Sequence, residues 1–224
     1  HSGEINMKNK PVVTALQAAE KVNSGEVVLV GGFLDTGAPN KVLDALVELG
    51  TSDLTLVNND TAFPDRGVGK MVVNKQFSKI ITSHIGTNKE TGRQMMAGET
   101  EVVLTPQGTL AEQIRCACYG LGGFLTRTGV GTIVQEGKDV IEIEGVKYLL
   151  EKPLHADFAL IFAHKADKYG SLVYHGAAQN FNSVRAGAAT TTIVEVLEYS
   201  EEALNPDVAE TPGVFVDYIV KRGA

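Results

Sequence analysis

The chain has no tryptophan, only two cysteines, few aromatic residues (6%) and no excess of positive charge. Each shortage removes a class of protein. So few aromatic side chains make no stacking surface for bases. With 20 Lys and Arg against 27 Asp and Glu, the net charge of −7 gives no general pull toward nucleic acid or an anionic membrane. Any anionic ligand must be held by a local site. Cys116 and Cys118, spaced C-x-C in an apolar, helix-like stretch, fit neither a disulfide framework nor a paired-knuckle zinc site. They read as small buried residues in a reducing setting. No apolar run approaches the ~18 residues that cross a bilayer, and the N-terminus lacks the basic-then-apolar layout of a signal peptide. The expectation is a soluble, cytoplasmic protein.

What is present is an ordinary globular composition, 43% apolar and 21% charged over 224 residues, enough to bury a core. Glycine stands out at 24 residues, about 11% against the roughly 7% norm. Tight turns and close backbone approaches follow from that. Residues 1–6 read as a cloning remnant ahead of a natural start at Met7, leaving 7–224 as a single domain without repeats or linkers.

The periodicity predicts alternation of strand and helix. Residues 14–23 form a first helix with Thr14 and Gln17 as a capping box, followed by a continuous apolar strand over 27–30. A helix over 40–49 stops at Gly50. Further strands are expected at 54–57, 79–82, 101–104, 158–163 and 191–196, and a β-hairpin around Glu144-Gly145 within 139–150. Ser200-Glu201-Glu202 reads as a solvated helix start. The fold class is therefore α/β: three layers, a largely parallel sheet covered by helices on both faces, and a small antiparallel hairpin.

Ligands of open parallel sheets lie where strands end. Gly31-Gly32-Phe33-Leu34-Asp35-Thr36-Gly37 occupies such a place, between a buried strand and a helix whose start can favour an anion. A plain strand-to-helix turn explains the same glycines equally well, since the loop is neither G-x-G-x-x-G nor a Walker loop. Three more polar segments, 58–61, 83–88 and 105–109, follow strands and share the same edge if the strands are parallel. Amides such as Asn59 and Gln107 can donate to an oxyanion during acyl transfer, while turn chemistry accounts for Asn59 and Asp60 as well, and periodicity does not decide for Asn59 or Gln107. Asn88 reads instead as a helix cap, and Thr109 with Glu112 as a capping box. No G-x-S-x-G elbow occurs, and His84, His155, His164 and His175 lack metal-ligand spacing, so each reads as a packing or surface residue and no metal is expected.

The residues from Val28 through Phe33 with Gly37-x-Pro39 resemble the signature of the α subunit of family I CoA-transferases. The likeness continues through Asn59-Asp60-Thr61-Ala62, 83–88, 105–112, 129–132, 157–160 and Asn180-Phe181-Asn182, with Ser24 departing from the more usual Asn or Asp. The resemblance implies transfer of CoA between a short-chain acyl-CoA and a carboxylate such as acetate, butyrate or acetoacetate. It implies acyl-CoA as substrate with no permanently bound cofactor, and a β-subunit partner, in an α2β2 assembly, carrying the nucleophilic glutamate. By residue-for-residue match, Gly31 through Gly37 become CoA-contacting, Gln107 lies near the partner's glutamate, and Asn59, or Asn58 under a one-residue shift, contacts an oxyanion. Rival readings of the fold class are a sugar-phosphate isomerase, which needs a base and a phosphate clamp, and an effector-binding module.

Overall fold

The computed structural model describes residues 8–223; the expected remnant and the start at Met7 lie outside them. In chain order the elements are β1 (Val12–Val13), α1 (Ala15–Ala19), β2 (Val27–Val30), α2 (Asn40–Leu49), β3 (Leu54–Val57), α3 (Val68–Val73), β4 (Phe77–Thr82), α4 (Lys89–Met96), β5 (Glu101–Leu104) and α5 (Gln107–Cys118). They continue with β6 (Phe124–Thr126), β7 (Val140–Ile143), β8 (Val146–Glu151), β9 (Ala156–Asp167), β10 (Leu172–Val173), α6 (Asn182–Arg185), β11 (Ala189–Ser200) and β12 (Tyr218–Lys221).

The main sheet runs β1-β12-β11-β9-β2-β3-β4-β5 with every neighbouring pair parallel, and β10 is added antiparallel to β9. Alternation along β2 shows why the sheet has two covered faces. Val28 and Val30 meet Leu54, Leu56, Ile80 and the apolar stripe of α2 (Val42, Leu43, Leu46). Leu29 points the other way, to Val57, Ala159, Ile161 and Leu110 and Ile114 of α5. This is the three-layer α/β arrangement that the periodicity predicts.

The helix α2 keeps its expected bounds because Gly50 takes the left-handed conformation (φ 66°) that ends it. Thr14 and Gln17 do form the capping box of α1, but that helix ends at Ala19 rather than at residue 23. The hairpin of β7 and β8 turns through Glu144 and Gly145, both at positive φ, and gains a third strand, β6, to make a separate antiparallel sheet.

Two expectations fail. Ser200 is the last residue of β11 and Glu201-Glu202 form a bend, so no helix starts there; β9 and β11 pair with each other well past the sheet and carry the chain through that region. Thr109 is no cap either. Helix α5 begins at Gln107 after Pro106, and the Thr109 hydroxyl is buried without a partner. Proline before the first turn starts this helix two residues earlier than a Thr-to-Glu reading allows.

The cysteines are both free, Cys116 buried and Cys118 half-buried, and burial pushes both thiols up. His84, His155 and His175 are exposed. His164 is half-buried and stacks on His175 with ring centroids 3.5 Å apart.

Candidate functional site

Because β2, β3, β4 and β5 are parallel neighbours, the segments that follow them emerge at one edge, as expected. Backbone bonds stitch them together: Ser83 N donates to Asn59 O (3.2 Å) and Thr105 N to Thr82 O (2.8 Å). Asn88 caps α4 by accepting from Glu90 N (3.2 Å) while its amide donates to Thr61 O (3.2 Å), so the capping reading of Asn88 holds.

The glycine loop is a tight turn. Phe33 and Thr36 exchange backbone hydrogen bonds (3.0 and 2.9 Å) around Leu34 and Asp35, both at positive φ, and Phe33 stands 53% exposed at the tip. Asp60 holds the turn from below, accepting from Leu34 N (3.0 Å) and Ala62 N (2.8 Å). The hairpin of β9 and β10 returns the chain over the loop, where Asn180 donates to Thr36 O (3.2 Å) and Asn182 to Gly37 O (3.0 Å). Here the glycines are required by close approach: a Cβ on Gly31 would sit 2.0 Å from Asn182 Oδ1, and one on Gly37 2.5 Å from Ala178 O.

The helix start after the loop is not an open anion site. The amides of Lys41 and Val42, which open α2, donate to Glu195 Oε2 (2.8 and 3.2 Å), a carboxylate brought by β11 and paired to Arg222. That carboxylate already fills the position an anionic ligand would take.

Gln107, first residue of α5, reaches back over the edge. Its amide donates to Asn59 Oδ1 (3.1 Å), and its Oε1 meets the Ser83 hydroxyl. Asn59 is 1% exposed; its amide donates to Gly32 O (3.2 Å). Gln107 is half-buried. Asn58 turns onto Asn59 N instead (2.7 Å). The fold thus joins Gln107, Asn59 and the glycine loop into one hydrogen-bonded unit, with Asn59 rather than Asn58 touching Gln107.

Beneath this unit lies Arg185, wholly buried. It donates to Asn59 Oδ1 (3.0 Å), Asn58 Oδ1 (3.3 Å) and Asn180 Oδ1 (3.1 Å), while its Nε has no partner. Burial pushes its guanidinium down to about 10, with Asp60 opposing, so it stays charged at neutral pH. Sequence reasoning missed this residue. The available signal was a lone cation in the small apolar run from Val184 to Ala189.

A largely parallel sheet, helices on both faces, and a glycine turn and a half-buried glutamine gathered at one strand-end edge define an α/β protein with its candidate site at that edge. The comparisons narrow that class. A model of the coenzyme A transferase family matches residues 12–222. Acetate CoA-transferase subunit alpha of Escherichia coli K12 is 52% identical over 215 residues, covering 96% of this chain and 97% of that protein. The alpha subunit of the acetoacetyl-CoA:acetate/butyrate CoA transferase of Clostridium acetobutylicum is 48% identical over 201 residues, 89% and 92% of the two chains. An acyl-CoA transferase of E. coli O157:H7, solved as a thioester complex with CoA, superposes with a TM-score of 0.83 at 20% identity; 96% of this chain matches about half, 48%, of that one. The chain belongs to the coenzyme A transferase family, and the isomerase and effector-module readings give way. No described helix is long and apolar enough to cross a membrane.

Proposed function

We propose that this chain is the α half of a cytoplasmic enzyme that moves CoA between a short-chain acyl-CoA and acetate, butyrate or acetoacetate. A β-type partner, in an α2β2 assembly, supplies the nucleophilic glutamate. That carboxylate attacks the thioester carbonyl and expels CoA thiolate, which returns to the mixed anhydride, leaving a glutamyl-CoA thioester and the free acid. A second carboxylate reverses the sequence.

The observation that carries this reading is the half-buried amide of Gln107, gathered with Asn59 and the glycine turn at the strand-end edge. It spends one hydrogen on Asn59, and the other has no acceptor among the described residues. A neutral donor suits this chemistry, because it stabilises a developing oxyanion without lowering the nucleophilicity of the attacking carboxylate as a direct Lys or Arg contact would. Asn59 supports Gln107 from below. The segment from Gly31 through Gly37 contacts CoA through its exposed Phe33–Thr36 tip, since the amides at the start of α2 are occupied by Glu195.

The test is CoA transfer from acetoacetyl-CoA to acetate by this chain alone and then mixed with the β-type chain of its own source. Activity is expected only in the mixture. Gln107→Ala should lower kcat by about 10²–10³-fold, the scale of one lost oxyanion donor, with assembly unchanged. Turnover by the chain alone overturns the half-enzyme reading.

A further inference from the structure

We infer that Arg185 is a positioning residue for CoA transfer: as a donor-only group locked against Asn59, it sets the direction of the hydrogen bonds through Asn59, Gln107 and Ser83, so that Gln107 presents an N–H rather than a carbonyl to the site. The inference rests on the catalytic reading of Gln107 and extends it to the residue that aims it.

An arginine is seldom fully buried without a carboxylate partner, because removing its charge from water is costly. Among the described residues no carboxylate lies within ion-pair distance of Arg185; its three hydrogen bonds all go to side-chain amide oxygens. Guanidinium has donors and no acceptor. The Asn59 atom facing it must therefore be Oδ1, which places Nδ2 on the acceptor Gly32 O. Since Gln107 meets that same Oδ1, the atom it presents must be Nε2. Its Oε1 then faces Ser83 Oγ, whose single proton serves it, while Asn59 O is satisfied by Ser83 N. One Nε2 hydrogen of Gln107 is left without an acceptor among the described residues, on a residue that is half-buried.

Without Arg185 a second arrangement becomes open. Asn59 and Gln107 can both rotate by half a turn, so that Asn59 Nδ2 donates to Gln107 Oε1, Gln107 Nε2 to Ser83 Oγ, and the Ser83 hydroxyl to Asn59 O, a contact of 2.7 Å already in place, with only the loss of the Asn59 bond to Gly32 O still opposing the turn. Gln107 would then turn a lone pair, not a proton, toward a developing oxyanion. The cation itself stays one amide away from the reacting carboxylates. The partner's glutamate is thereby spared a direct counter-charge.

The experiment uses the assembled complex of this chain with its β-type partner, assayed for CoA transfer from acetoacetyl-CoA to acetate between pH 6 and pH 10. Arg185→Met should lower kcat by ~10²-fold, the scale of a misplaced catalytic geometry, with KM for acetoacetyl-CoA held within about twofold. Arg185→Lys keeps a donor-only cation, but a buried lysine has a lowered pKa. Its kcat relative to the unmodified complex should start near unity at pH 6 and fall tenfold per pH unit once the lysine deprotonates. A purely structural arginine does not produce that limb. The direct readout is the Gln107 side-chain amide in 15N-labelled chain within the complex: its two protons should be split, one protected by its bond to Asn59, and Arg185→Met should move that bond to Ser83 and so shift the resonance of the protected proton.

Unchanged kcat in Arg185→Met, a flat pH ratio in Arg185→Lys, or activity lost only in proportion to lost assembly each overturns the inference. Gln107→Ala, run beside them, separates the two claims. Full activity in that variant overturns the catalytic reading, and the shift of the protected amide proton alone then decides whether Arg185 aims Gln107.

Discussion

Arg185 and Glu195 are both buried to 0% exposure, yet their surroundings are opposites. Glu195 sits mid-strand in β11 and has a complete set of partners: Arg222 just past β12 and the first free amides of α2, three elements tied by one carboxylate. Arg185 has amide oxygens only, an Nε without a partner, and the charge whose field opposes its burial, Asp60, is engaged by two backbone amides. A buried charge with all its partners fastens the scaffold. One whose only partners are side-chain amides, two of them at the strand-end edge, serves, on the reading proposed above, the site those amides form.

The sharpest way to break that distinction is to remove Glu195. Glu195→Ala leaves Arg222 and the amides of Lys41 and Val42 without their acceptor, and stability should fall by about 3–5 kcal/mol, the usual cost of breaking a buried pair from one side. Urea unfolding of the chain measures it. Glu195→Gln keeps an acceptor for the helix and should lose less. If Glu195→Ala unfolds within about 1 kcal/mol of the parent, the pair is not a fastener and the contrast with Arg185 collapses.

A smaller effect is expected at the glycine turn, which lies on the Arg185 side of the comparison. Gly37 and Gly131 share the same φ of 77°, but a Cβ on Gly37 meets Ala178 O at 2.5 Å and Asn180 Nδ2 at 2.9 Å, while one on Gly131 meets nothing within 4 Å. Gly131→Ala should cost only the left-handed conformation, about 1–2 kcal/mol. Gly37→Ala should cost ~1–3 kcal/mol more from overpacking, together with a higher KM for acyl-CoA in the assembled complex, because Asn180 ties that turn to Arg185. Equal losses in the two variants would show that the close approach carries no energy.

The same contrast explains what was legible in the sequence. Strands β2, β3 and β5 and helix α2 fall on their expected bounds because their signals are local: continuous apolar runs, a stripe at helical spacing, and a glycine stop. Polar ends hid the full length of β9 and β11, whose outer residues pair with each other rather than with the core of the sheet. The three-residue strand β6 had no period to read. At the site, Gln107, Asn59 and the glycine loop were visible as polar residues at strand ends, and the fold brings them together. Glu195 and Arg185 were not, although each is a charge in an apolar run. Glu195 caps a helix 154 residues earlier in the chain, and Arg185 bonds to Asn59 across 126 residues. Nothing in a local window distinguishes such partners from solvent.

Arg93 extends the comparison to its weak end. It lies exposed on α4 and bonds bidentately to both Glu90 and Glu99, and these bonds hold both carboxyls down at about 2, with Gln94 assisting at Glu90 and Lys75 at Glu99. The folded values lie below the ordinary value near 4.5, so the stability they contribute is full above about pH 4.5 and is lost as pH falls toward 2. Arg93→Gln should therefore lower stability slightly at pH 7 and leave it unchanged near pH 2, flattening the acid limb between. Because these groups are solvent-exposed, added salt should shrink even that difference. Urea midpoints at pH 7 and pH 2.5, at low and high salt, decide it. A loss at pH 7 as large as that of Glu195→Ala would mean that completeness of partners, not burial, sets the energy of a charge in this fold.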